Sequence, residues 1–186
     1  MATRSYKEIL ALADAHFDKV IAAQPHQLRC RVGCTLCCHG LFEIASADVA
    51  VIAEGLRALS PERRRAIVRR AEQRIADLDH PNLREASDRE KESFFDRASD
   101  VPCPALTEEG RCEIYASRPL VCRTFGLPLR EGARMLGEVC ELNFLRATSG
   151  EMERAAWDLE WEDILGPEDA FTIPEAIVLA DRLIRG

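Results

Sequence analysis

The chain has 186 residues, 47% of them hydrophobic, and a net charge of −7. That length fits one domain, or one domain with a helical extension, and the negative balance argues against a general nucleic-acid binder. No run approaches the roughly eighteen uncharged apolar residues that a membrane-spanning helix needs. The N-terminal "MATRSYKEILALADAHF" mixes Arg4, Lys7, Glu8 and Asp14 into its apolar residues, unlike a signal peptide, so a cytoplasmic protein is expected.

The first predicted element is an amphipathic helix over Ser5–Gln24. Ser5 and Glu8 have capping-box spacing, and Ile9, Ala13, Phe17, Val20 and Ile21 recur at helical intervals. Pro25 follows, then a cysteine cluster. Leu41, Phe42 and Ile44 read as a short extended piece. Ser46 is placed to cap a helix whose apolar face is Val49, Ile52, Ala53, Leu56 and Leu59. Ser60 and Pro61 then form a strong helix start, with Ile67, Ala71, Ile75 and Leu78 as the buried stripe. Arg63, Arg64, Arg65, Arg69, Arg70 and Arg74 crowd that helix, and Asp158, Glu160, Glu162 and Asp163 crowd a later segment. Solvated faces are the ordinary explanation, ahead of a binding patch, and the two segments could also pair with each other within the fold or across a dimer.

The charged stretch from Asn82 to Asp100 reads as a short helix or an ordered loop. "CPALTEEGRCEIY" reads as two short strands around a Glu109-Gly110 turn, which would bring Cys103 and Cys112 together. "IYASRPLVCRTFG" reads as one or two helical turns broken at Pro119. Pro128 and Gly132 mark a second small hairpin before Cys140. Glu151 to Leu165 is expected to be a helix, with Trp157 and Trp161 sharing a face. Thr172 and Glu175 cap a last helix carrying Ile173, Ile177, Leu179, Ala180 and Leu183.

The main chemical signal is eight cysteines: Cys30, Cys34, Cys37, Cys38, Cys103, Cys112, Cys122 and Cys140. A reducing cytosol disfavours a disulfide framework, so metal or redox chemistry is the expected use. Buried free cysteine explains scattered thiols but not four between Cys30 and Cys38. Thiolates are soft ligands for zinc, copper(I) or iron–sulfur clusters, and a bound cation offsets their mutual repulsion. Of the spacings, Cys34-Thr-Leu-Cys37 has the form of a zinc knuckle. The downstream intervals do not, which favours an iron–sulfur cluster or iron over a structural four-cysteine zinc site. Cys37 and Cys38 are adjacent, and neighbouring side chains diverge in an extended chain; a tight turn removes that obstacle. One site or two four-ligand sites both fit the count. His39, next to Cys38, is a candidate ligand or donor to a thiolate, though a lone histidine is more often neither. His16, His26 and His80 read as packing or surface residues.

"CRVGCTLCC", "CPAL", "GRCEIYASRPLVCRTFG" and the final Cys140 together resemble the YkgJ family of cysteine-cluster proteins. That family is named for a CxxCxxCC motif and described as zinc- or iron-chelating. The resemblance spans about Cys30 to Cys140. The string from Ile114 to Phe125 is its most specific part. The chain departs from the label in having Arg31, Val32 and Gly33 between its first two cysteines, one residue more than the label has. The resemblance implies metal binding through the cysteines and does not by itself imply an activity. The cysteine motif is also similar to that of a flagellin lysine N-methylase associated with an iron–sulfur cluster, but no glycine-rich nucleotide loop supports a methylase here. Arg118 and Arg123, flanking Cys122, are candidates to donate to thiolates or offset their charge, with a structural role as the alternative.

The expected architecture is mainly α: a small helical domain with short β-hairpins around a cysteine-rich metal site. Residues 1–25 would form an N-terminal helix on the core, 26–145 the cysteine-cluster domain, and 146–186 a C-terminal helical extension. The expected function is chelation of an iron–sulfur cluster or iron, in a structural or redox role, with structural zinc as the alternative. A cluster-dependent enzyme or a metal-trafficking protein is the third possibility. Glu43 and Glu113 lie near the cysteines, but no hydrolase, zinc-protease or phosphate-loop motif appears. The expected partner is a metal ion, with neither membrane nor nucleic acid.

Overall fold

The computed structural model describes residues 5–31, 33–78, 81–136, 140–158 and 170–186. In chain order the helices are α1 (Tyr6–Ala23), α2 (Ser46–Arg57), α3 (Pro61–Asp77), α4 (Asp88–Arg97), α5 (Leu120–Thr124), α6 (Ser149–Ala155) and α7 (Ile173–Arg185). The strands are β1 (Glu43–Ala45), β2 (Leu129–Glu131), β3 (Arg134–Leu136), β4 (Trp157–Asp158) and β5 (Ala170–Thr172). The mainly α class expected from the sequence is therefore observed. The chain divides into two compact units, one of residues 1–34 with 120–164, the other of residues 35–119 with 165–186.

In the first unit, α1 begins as its capping box predicts: the Ser5 hydroxyl accepts the Glu8 N–H at 3.4 Å and the Glu8 carboxylate accepts the Ser5 N–H at 2.7 Å. α1 packs on α5, and Arg123 of α5 forms an ion pair with Asp14 of α1. Val20, Leu28, Leu127, Phe144 and Ala155 form the core, with Phe17, Ile21, Cys30 and Trp157 against it. The hairpin expected at Gly132 is present as antiparallel β2 and β3. β4 joins the other edge of β2 in parallel.

That strand replaces part of an expected helix. α6 starts earlier, at Ser149, and ends at Ala155, so Trp157 is not helical. Its N–H instead donates to the Pro128 carbonyl at 2.8 Å, and its ring stands 5.4 Å from that of His16. The open edge of β2 offers backbone partners, and a bulky aromatic fits a strand at least as well as a helix. Trp161, Glu160, Glu162 and Asp163 lie outside the described residues, as does His80. Asp158 pairs with Arg130.

In the second unit, β1 and β5 pair antiparallel, Ile44 opposite Phe171, and each runs directly into a helix, α2 and α7. α7 packs on α2 and α3. Thr172 and Glu175 form the expected capping box, and Ile173, Ala176, Ile177 and Ala180 are buried, whereas Leu183 is exposed. α2 is capped one residue earlier than expected. Ala45 is its N-cap, and the Asp48 carboxylate reaches back to the Ala45 N–H at 3.2 Å. Ser60 and Pro61 start α3, with Ile67, Val68 and Ala71 buried. Asn82–Asp100 resolves into α4, which the Ser87 and Glu90 side chains cap. Phe94 joins Leu41 and Ala98 in a satellite core.

Two predictions arise from this packing. Gly55 sits inside α2, and a Cβ there would lie 2.8 Å from Cβ of Ser117 and 3.0 Å from Cβ of Ile114. In a free helix, alanine in place of glycine stabilises by about 1 kcal/mol; crowding here costs about 1–3 kcal/mol. Gly55→Ala is therefore expected to lower the urea midpoint, and a raised midpoint would show that the contact yields easily. The second concerns Glu151. Its carboxylate accepts from the Thr148 backbone at 2.8 Å, the Thr148 hydroxyl at 2.8 Å and the Gln27 amide at 3.3 Å. These donors, the Thr148 backbone first, hold its pKa down to about 2 against an ordinary 4.5. A depressed carboxylate stabilises fully above its unfolded pKa and loses that contribution as pH falls through its folded pKa. The stability gap between wild type and Glu151→Gln should be open at neutral pH and close as pH falls from about 4.5 toward 2, read by urea unfolding across that range.

Candidate metal centre

The second unit gathers Cys37, Cys38, Cys103 and Cys112. Leu36–Cys38 form a single 3-10 turn, closed by the Cys38 N–H on the Thr35 carbonyl at 2.7 Å. This turn removes the divergence expected of adjacent side chains in an extended chain, and the Cys37 and Cys38 thiols are hydrogen-bonded to each other. The segment is then laced to the one carrying Cys103. The Cys38 carbonyl accepts the Cys103 N–H at 2.8 Å, Gly40 donates to Val101 at 2.9 Å, and His39 and Pro102 form an antiparallel bridge.

Cys103 and Cys112 end a tight loop. The Cys103 carbonyl accepts the Leu106 N–H at 3.0 Å, Ala105 accepts the Glu113 N–H at 2.9 Å, and Leu106 bridges Cys112. The two short strands expected here reduce to that one bridge. Gly110 turns the chain at φ 73°, a left-handed conformation open to glycine. The loop closes nonetheless, and Cys103 and Cys112 feel each other's charge.

The arginine-rich α3 holds this loop from outside. Arg70 donates to the Pro104 carbonyl at 2.7 Å and to the Glu113 carboxylate at 2.7 Å. Arg63 reaches the other Glu113 oxygen at 2.8 Å, and Arg74 reaches the Pro102 carbonyl at 3.4 Å. Arg64 pairs with the buried Asp181 of α7. These four arginines are engaged within the fold, by Glu113, Asp181 and backbone carbonyls rather than by the acidic segment around Asp158. Nothing in the spacing of the sequence marked Glu113 as the partner of Arg63 and Arg70. Its signal was only a carboxylate beside Cys112.

Cys37, Cys103 and Cys112 are hard to ionise without a cation. Cys37 is pushed up first by its hydrogen bond with Cys38, then by burial and the charge of Cys38, against the pull of Arg118. Burial pushes Cys103 up to about 12, with Cys112 and Cys37 adding to it and the Ala105 N–H and Arg70 opposing. Burial also raises Cys112, with the Glu113 charge in the same direction and Arg118 against it. Arg118 thus acts on two of the four thiols, its guanidinium stacked 3.8 Å over the Tyr115 ring. Neutral thiols keep ordinary van der Waals separation. Among the described residues, no three His, Cys, Asp or Glu side chains converge at metal-bonding range. The donor set itself suits a soft cation: four thiols on a backbone already laced together, with Arg70 and Arg118 to offset excess negative charge.

Cys30, Cys34, Cys122 and Cys140 fall in the first unit. Cys34 closes a turn onto the Arg31 carbonyl at 2.9 Å, and Cys122 lies in α5. Asn143, fully buried, organises this region. Its amide donates to the Cys30 sulfur at 3.4 Å and to the Gly126 carbonyl at 3.1 Å, and its oxygen accepts the Arg29 N–H at 2.8 Å. Its own N–H donates to the Cys140 carbonyl at 2.8 Å. Sequence reasoning overlooked Asn143, whose only signal was an amide three residues beyond Cys140. Arg123, expected beside the thiols, engages Asp14. His39 is exposed, its ring contacting the Thr35 carbonyl at 3.0 Å. None of the eight cysteines forms a disulfide.

Among the described residues no helix is long and apolar enough to cross a membrane. No curated protein and no solved structure matches the chain at a significant level. A family model described as "CxxCxxCC: Putative zinc- or iron-chelating domain" matches residues 29–141. The matched span takes in all eight cysteines and well over half of the 186 residues, and its description agrees with the iron–sulfur cluster or zinc that the thiols led us to expect. The chain belongs to the CxxCxxCC family of zinc- or iron-chelating domains.

Proposed function

We propose that the chain chelates a zinc or iron ion through the thiolates of Cys37, Cys38, Cys103 and Cys112, in a structural or redox capacity. The observation that carries this reading is the backbone lacing of the two cysteine segments, the Cys103 N–H on the Cys38 carbonyl at 2.8 Å and the His39–Pro102 bridge. A tetrahedral ion with metal–sulfur bonds of about 2.3 Å holds its sulfurs roughly 3.8 Å apart, so the thiols need only turn inward on segments the backbone already joins. When bound, the ion supplies a covalent clamp between the two cysteine segments, and iron adds one-electron chemistry. Arg118 and Arg70 balance part of the charge, and α3 holds the Cys103–Cys112 loop in place.

An iron–sulfur cluster is the second reading, supported by spacing. The one knuckle-like pair, Cys34 and Cys37, is divided between the two units, so neither unit contains the C-x-x-C element common in structural zinc sites. A catalytic role finds less support. Glu113 is committed to Arg63 and Arg70 and Glu43 to Lys91, which leaves neither as a ready general base.

Anaerobic purification followed by metal and acid-labile sulfide analysis tests the assignment. Stoichiometric zinc or iron without sulfide is the expected result, iron with equimolar sulfide selects the cluster, and folded protein that takes up no metal ends the proposal. Proton release gives a further check. The raised Cys37, Cys103 and Cys112 thiols are protonated at neutral pH, so closing the site on zinc should release about three protons per ion from them. Apparent affinity should rise as pH rises from about 6 to 8, and pH-independent binding would contradict thiol ligation.

A further inference from the structure

The eight cysteines divide evenly between the two compact units. Cys37, Cys38, Cys103 and Cys112 belong to one, and Cys30, Cys34, Cys122 and Cys140 to the other. We infer that the second group is a metal site in its own right, so that the chain holds two separate four-thiolate sites, one per unit. This rests on the thiolate-chelation reading above and goes beyond it in number, ligand assignment and supporting residue.

The geometry of the first unit supports the assignment. A Cβ on Gly126 would lie 3.6 Å from Cβ of Cys140 and 3.6 Å from the Cys30 sulfur. The position of that missing side chain is therefore flanked by two of the four cysteines. Gly126 has φ 94°, a conformation that glycine adopts without strain, and any Cβ there would also meet the Asn143 amide nitrogen at 2.6 Å. The same turn follows α5 directly: Phe125 donates to Val121 at 2.9 Å and Leu127 to Thr124 at 3.0 Å. Cys122 lies on α5, the helix that leads into this turn. Cys34 stands at the end of the turn that begins at Arg31, next to Cys30 in the chain.

Asn143 is what distinguishes this arrangement from ordinary packing of cysteine. A fully buried amide spends one donor on the Cys30 sulfur. Cysteine sulfur is a weak acceptor as a thiol and a strong one as a thiolate. The other bonds of Asn143 fix Arg29, Gly126 and Cys140, so it ties the approaches to Cys30 and Cys140. We assign it as a positioning residue that holds the Cys30 thiolate by an N–H···S bond. The four thiols would each pass a proton to solvent as the metal–sulfur bonds form, leaving the ion's oxidation state unchanged.

The test uses the full-length chain loaded with zinc or with cadmium-113. Two metal equivalents per chain are expected, with two cadmium resonances in the tetrathiolate range. Cys103→Ser with Cys112→Ser should remove one equivalent and one resonance, and Cys122→Ser with Cys140→Ser should remove the other. Asn143→Ala should weaken only the site lost in the Cys122/Cys140 variant, by about tenfold or more. One equivalent in wild type, abolished by either pair of substitutions, would overturn the two-site assignment while leaving thiolate chelation intact. No metal in wild type would overturn the chelation reading itself. One equivalent lost only with Cys103 and Cys112 would return Cys30, Cys34, Cys122 and Cys140 to a packing role. If a double variant fails to fold, the wild-type resonance count still decides between one site and two.

Discussion

The hydrogen bond from the Cys103 N–H to the Cys38 carbonyl joins two stretches of chain that share no local structure. Everything about the thiol group of the second unit depends on that junction. It sets Cys103 opposite the 3-10 turn that pairs Cys37 with Cys38, and the loop from Cys103 delivers Cys112 as the fourth thiol. A bridge of this length closes a large loop, which is entropically costly. The cost is shared by α3, whose arginines bind the carbonyls of Pro102 and Pro104 and the Glu113 carboxylate.

The regular elements were largely legible in the sequence because their signals are local. Ser5 with Glu8, Ser60 with Pro61, and Thr172 with Glu175 each fix a helix start within a few residues, and all three helices begin there. Where reading failed, a distant partner had intervened. Trp157 left its expected helix because Pro128 offers its N–H an acceptor, and no window around Trp157 contains Pro128. Ser46 lost the cap of α2 to Asp48, a competition between two good capping residues two positions apart.

The cysteines were legible as chemistry but not as a grouping. Eight thiols in such a chain announce a soft metal, whatever their order. The boundary between the two units falls just after Cys34, and no local pattern in the sequence marks it. The same holds for charge. Arg123 lies beside Cys122 and turns to Asp14, whereas Arg118, four residues from Cys122, acts on Cys37 and Cys112. Asn143 carries no motif at all, because its importance lies in three hydrogen bonds that only folding brings together.

The interleaving of the two units has a consequence for how the protein is made. Each unit draws on two stretches of chain, and the closing stretches begin at residues 120 and 165. A nascent chain emerging from the ribosome has all four thiols of the second unit available once Cys112 is out, but α7, which packs on α2 and α3, comes last. The thiols therefore pass through a period of exposure before their scaffold is complete. Early metal capture in that interval would shelter them from oxidation and hold the unfinished unit together until α7 arrives.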